Sequence, residues 1–91
     1  MTLTRSPKAA RFARELHKVT PALVARSGGK CELSHLEGCE GPPVRHHKLM
    51  RSHGGTNELA NLLFICDRHH NFLHANPALA YSEGWIIRGV R

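Results

Sequence analysis

The sequence predicts one small α+β domain, in which two strands and a following helix are held by metal behind a helical N-terminus. Three observations predict it. Helix start and stop signals fill residues 1–29. Strand-like segments bounded by glycine and polar residues follow at 44–50 and 62–65, the second wholly apolar, with a helix-like segment after them. The 91 residues also hold eight histidines and three cysteines but only 5% aromatics. A chain this short buries a thin core, and domains in that position are usually stapled. Three cysteines cannot all pair with one another, so the staple expected is a metal rather than a disulfide framework.

Each element has a local reason. Ser6 before Pro7 reads as an N-cap with proline at the first helical position. Ala9, Phe12, Ala13 and Leu16 recur at helical spacing, while Arg11, Arg14 and Lys18 share another face. Thr20-Pro21 repeats the start signal, so a second short helix is expected, closed near Ser27 by Gly28-Gly29. Residues 30–43 are loop-like, with Gly38, Gly41, Pro42 and Pro43. Val44–Met50 reads as a strand, Arg51–Asn57 as a polar loop carrying Gly54-Gly55, and Leu62–Ile65 as a short buried strand. A helix is expected from about Asp67 to Ala75, with Asp67 as its N-cap or first-turn acid. Pro77 opens another short helix through Tyr81, Gly84 ends it, and Trp85–Ile87 reads as a last strand.

Charge divides the chain. Residues 1–30 carry seven basic residues (Arg5, Lys8, Arg11, Arg14, Lys18, Arg26 and Lys30) against Glu15, which accounts for the whole net charge of +6. The expected organisation is therefore a basic helical arm, 1–29, on a neutral, metal-rich body, 30–91. A one-sided basic arm suits a polyanion, nucleic acid first. The alternative is an ordinary solvated helix face. No run approaches the length of a membrane span, and no apolar signal core begins the chain. Reduced thiols and a cytoplasmic setting are expected, with no membrane partner.

Two residue sets carry chemistry. In the first, Cys66 and His69 form a C-x2-H pair at a strand-to-helix junction, and Cys31 and Cys39 lie across a glycine-containing loop. Three thiolates and one imidazole make a closed tetrahedral site suited to structural Zn²⁺. His35 is a possible substitute for one ligand, and three buried apolar thiols are the alternative. In the second set, His70 and His74 are i and i+4 on a helix and share a face. His46 and His47 are strand neighbours and point to opposite faces. One strand histidine facing two helical ones is a three-ligand site with open positions, as a catalytic metal requires. The other is then free to act as a general base, with the Asn61 amide at the start of the second strand to orient it. An all-imidazole site favours Zn, Ni, Co or Mn over Ca and makes Mg²⁺ less certain.

Gly28-Gly29-Lys30-Cys31, Cys39, His46-His47, Gly54-Gly55, Asn61-Leu62, Cys66, His69-His70 and His74 resemble the zinc-stapled HNH endonucleases of the ββα-metal, or His-Me finger, class. The run from Asn61 to His70 is similar to that family's N-L-x-x-L-C-x-x-C-H. The segment from His74-Ala75-Asn76-Pro77 to Trp85 is similar to small HNH proteins of actinobacterial phages. The resemblance spans about residues 26–76. Three features depart from the pattern. His69 stands where the fourth zinc cysteine would be, Cys31-x7-Cys39 is wide, and the proline that often follows the paired histidines is absent.

The resemblance implies a ββα-metal core and a DNA endonuclease that nicks or cuts double strands. His47 would be the general base and Asn61 the residue that orients it. His46, His70 and His74 would be ligands of one catalytic divalent ion (Mg²⁺, Mn²⁺, Ni²⁺ or Zn²⁺), with Cys31, Cys39, Cys66 and His69 on structural zinc. Arg45, Lys48 and Arg51 would join Arg11, Arg14 and Lys18 in holding phosphates, and His53 with the Gly54-Gly55 loop would approach the DNA backbone. The expected partner is double-stranded DNA, met by a monomer or a homodimer in the cytoplasm of a bacterial host if the chain is phage-encoded. The alternative function is a zinc-stapled DNA-binding or accessory module that works with phage terminase or packaging proteins and does not cut.

Overall fold

The computed structural model describes residues 6–88, so Arg5 of the basic arm lies outside the described residues. These residues form a small α+β domain of three helices and a two-stranded antiparallel sheet. Helix α1 spans Pro7–Ser27, strand β1 Pro43–His47, strand β2 Leu62–Cys66, helix α2 Asp67–Ala75 and helix α3 Pro77–Glu83. Single 3-10 turns occur at Arg51–His53 and Leu59–Asn61. No helix among the described residues is long and apolar enough to cross a membrane.

Residues 7–27 form one helix where two were expected. Ser6 caps it, accepting from the Ala9 N–H at 3.1 Å. Pro21 stands inside it and removes only the N–H that would have met the His17 carbonyl. Thr20 does not cap a new helix, because its hydroxyl donates to the Leu16 carbonyl at 2.7 Å. The helix ends as expected. Gly28 takes the left-handed conformation (φ 67°), and the N–H groups of Gly28 and Gly29 return to Ala25 and Val24.

Helix α1 is fastened to the sheet by Arg26. Its guanidinium pairs with both oxygens of Glu32 at 2.7 and 2.9 Å and donates to the carbonyls of Leu59 and Leu62. Burial works against the Glu32 charge, yet Arg26, the Phe64 N–H and Lys48 together hold its carboxyl below the ordinary carboxylate range. Leu23 is fully buried where the helix meets β2.

The strands pair with His46 opposite Leu63 and His47 opposite Leu62. That register puts Val44, His46, Leu63 and Ile65 on one face and Arg45, His47, Leu62 and Phe64 on the other. Helix α2 covers the first face and α1 the second. Strand β2 is therefore apolar almost throughout rather than alternating. Leu33, Leu63, Ile65, Leu73 and Ala80 form the core together with Cys31 and Cys66.

Strand β1 is shorter than the 44–50 expected. Opposite Leu49 there is no strand residue, because β2 begins at Leu62. The Asn61 side chain takes that place, accepting from the Leu49 N–H at 2.9 Å and donating to the Leu49 carbonyl at 3.1 Å. The chain then turns tightly, and a Cβ at Gly55 would overlap the Leu49 carbonyl. Helix α2 starts and ends as expected, with Cys66 as the capping residue and Asp67 in the first turn. Helix α3 runs past Tyr81 to Glu83. Trp85–Ile87 forms no strand. It makes a single parallel bridge, Leu49 to Ile87, because the Trp85 and Ile86 N–H groups are already committed to the Ala80 carbonyl.

Candidate functional site

Two clusters of side chains that could hold a metal ion draw on the strands and helix α2. Cys31, Cys39, Cys66 and His69 bring one ligand atom each within 4.8 Å of one another. The sulfurs of Cys31 and Cys39 each stand 3.5 Å from His69 Nδ1. A zinc ion with Zn–S of about 2.3 Å and Zn–N of about 2.0–2.1 Å needs a tetrahedral S–N edge of about 3.5 Å, so the set fits the ion. The surroundings agree. His69 Nε2 bonds the Glu37 carbonyl at 3.0 Å, which fixes the proton there and leaves Nδ1 free to ligate. The Leu33 N–H points at Cys31 Sγ and the His69 N–H at Cys66 Sγ, both at 3.4 Å. Burial opposes a Cys66 thiolate, but the N–H donors of His69 and Glu40 and the neighbouring thiols outweigh it and lower its pKa. Desolvation and the thiols of Cys31 and Cys66 push Cys39 up to about 11. Without a cation the three thiols therefore resist ionising together, and a metal ion held among them would favour the thiolates. His35 is exposed and not in the cluster.

His46, His70 and His74 form the second cluster, again within 4.8 Å. His70 Nε2 and His74 Nε2 are 3.2 Å apart. That separation suits two nitrogens on one ion at about 2.0–2.1 Å. His46 is only 4% exposed, and its Nε2 donates to the Trp85 carbonyl at 2.7 Å, leaving Nδ1 unprotonated. Burial, with His70, His74 and His47 nearby, pulls its pKa down to about 4. Burial and His74 lower that of His70. Both shifts favour the neutral ring that ligation requires.

His47 lies on the opposite face of β1 from His46, and both line one open cleft of ≈ 230 Å³ with Arg45, Met50, Arg51, His70 and His74. The sequence assigned its orientation to Asn61, and the structure corrects this. The Asn61 amide is occupied by Leu49 and by the Thr56 carbonyl, so it braces the loop instead. The residue at His47 Nε2 is Asn57, whose Oδ1 stands 2.8 Å away. Asn57 Nδ2 in turn donates to the Phe12 carbonyl, and the Phe12 ring stacks on His47 with centroids 5.7 Å apart. Sequence reading missed Asn57, Phe12 and the Trp85 carbonyl. Asn57 read as one more polar loop residue, and a backbone carbonyl leaves no mark in a sequence.

The basic residues divide. Arg45 and Arg51 rim the cleft, with Arg45 donating to Thr20 Oγ1 at 3.0 Å and Arg51 4.1 Å over the Phe12 ring. Arg11 and Arg51 share a neighbouring groove with Lys8 and the Gly54-Gly55 loop. His53 is exposed and lines neither. Lys48 does not line the cleft either, and its charge helps to lower the Glu32 pKa. Arg14 and Lys18 are exposed on α1 with no ion pair among the described residues. If they hold phosphates, Arg14→Ala with Lys18→Ala will reduce the slope of log affinity against log salt on duplex DNA by about 2 and leave the melting temperature unchanged. An unchanged slope would assign them to a solvated face.

No protein-family model, curated protein or solved structure matches this chain.

Proposed function

We propose that this chain is a metal-dependent endonuclease of the HNH type, hydrolysing phosphodiester bonds in double-stranded DNA. The observation that carries this reading is four imidazoles in one cleft, three grouped at metal-ligand separations and the fourth held apart with one nitrogen free. The strand–strand–helix order around them supports it, as does the excess positive charge of α1.

Each side chain then has a task. His46, His70 and His74 would hold a divalent ion, which when bound supplies Lewis-acid activation of the phosphate and neutralises the leaving 3′ oxygen. His47, with Nε2 protonated towards Asn57, accepts the proton of the attacking water at Nδ1. Arg45 and Arg51 offset phosphate charge at the rim. Asn61 keeps the Leu49 segment in place behind His47.

The test is incubation of the zinc-loaded protein with supercoiled plasmid in Mg²⁺, Mn²⁺, Ni²⁺ or Zn²⁺, with a chelator control. Relaxed or linear product that depends on the added ion supports the reading. No cleavage with any ion would leave a zinc-stapled accessory module, for which phage packaging proteins are the first partners to try. His70→Ala removes a ligand without touching His47. It should bind the added ion at least 10-fold more weakly by titration, with activity partly restored at excess ion.

A further inference from the structure

We propose that Asn57 is a positioning residue for His47, and that helix α1 sets the protonation pattern of that ring through it. The inference rests on the reading of His47 as the base.

Asn57 is 7% exposed, and both ends of its amide are used. Nδ2 donates to the Phe12 carbonyl at 3.1 Å, and Oδ1 faces His47 Nε2 at 2.8 Å. A backbone carbonyl only accepts. The amide therefore cannot turn over without setting oxygen against oxygen at Phe12, and Oδ1 must face the ring. An oxygen at 2.8 Å demands a proton on Nε2, which leaves Nδ1 as the basic nitrogen. The carbonyl of Phe12, 45 residues from Asn57 in sequence, thus decides which nitrogen of His47 is free. The Phe12 ring adds a second constraint. It lies 25° from the His47 plane, with the Arg51 guanidinium over it. Tautomer and ring plane are both set from α1, so the helix belongs to the catalytic assembly as well as carrying charge.

The experiment observes the ring proton directly. In proton–nitrogen spectra of the zinc-loaded chain, with His47 assigned by its loss in His47→Ala, the ring proton should sit on Nε2 and exchange slowly with water. Asn57→Ala should lose that protection. Asn57→Asp keeps an oxygen facing Nε2 and should retain it, at a cost in melting temperature, because its second oxygen now meets the Phe12 carbonyl. In cleavage assays Asn57→Ala should lower kcat by about 10²-fold with KM near wild type, and Asn57→Asp should recover most of the loss. A wild-type proton on Nδ1, or one that exchanges freely, overturns the proposal. So does an Asn57→Ala protein that keeps the protected proton. Equal loss of activity and melting temperature in both variants would make Asn57 a purely structural tie and would also overturn it. The ring-proton result stands apart from cutting: a held Nε2 proton in a chain that cleaves no DNA supports the positioning geometry and counts against the nuclease reading alone.

Discussion

Stripping the metal from Cys31, Cys39, Cys66 and His69 will unfold the domain. Two of these ligands, Cys31 and Cys66, are core residues packed with Leu33, Leu63, Ile65 and Leu73, so the ion and the core form together. Structural zinc contributes an apparent ~10–16 kcal/mol near pH 7, at least as much as the ~5–15 kcal/mol by which whole domains are stable. The purified protein is expected to carry one tightly held zinc ion. A strong chelator should abolish its helical circular dichroism and its cooperative melting. Cys66→Ser should do much the same: the serine hydroxyl can still cap α2, but the thiolate ligand and an apolar core side chain are lost together. His35→Ala should change little. A metal-free protein with unchanged spectrum and melting temperature would refute the staple.

His47→Ala should abolish cleavage while leaving zinc content, fold and DNA affinity near wild type. Loss of a general base typically costs on the order of 10²–10⁴ in rate. The ring is half-buried and bonded only through Asn57, so its removal leaves both ligand sets intact. Asn61→Ala should behave differently. It frees both backbone groups of Leu49, so stability should fall together with rate. Cleavage by His47→Ala at the wild-type rate would remove His47 from the mechanism.

Both clusters were legible in the sequence because cysteine and histidine are chemically rare and their spacing is local. A C-x2-H at a strand end and an i, i+4 histidine pair each bring their two side chains together through secondary structure alone. The facing of His46 and His47 followed from the two-residue period of a strand. The misread parts have a common cause. Thr20-Pro21 carries a complete start signal, yet a helix already nucleated continues through it when the Thr20 hydroxyl turns back to Leu16. The strand 44–50 stops early because its partner starts at Leu62, which only the paired structure fixes. Asn57 and Asn61 stand four residues apart between the two strands. Which of them reaches the histidine depends on where α1 lies, and no local pattern encodes that.

The carbonyl of Trp85 on His46, with the Ile87 N–H on Lys48, has a consequence for synthesis. Chains grow from the N-terminus, so His69, the last residue of the Cys3His cluster, is made before the residue that fixes the His46 tautomer. The staple is therefore complete while the histidine trio still lacks its final support. A ribosome-bound chain arrested with residues 1–75 outside the exit tunnel should take up zinc yet hold the added divalent ion weakly. Tight affinity for that ion should appear only once residues 85–87 have emerged, so the histidine trio would be completed last.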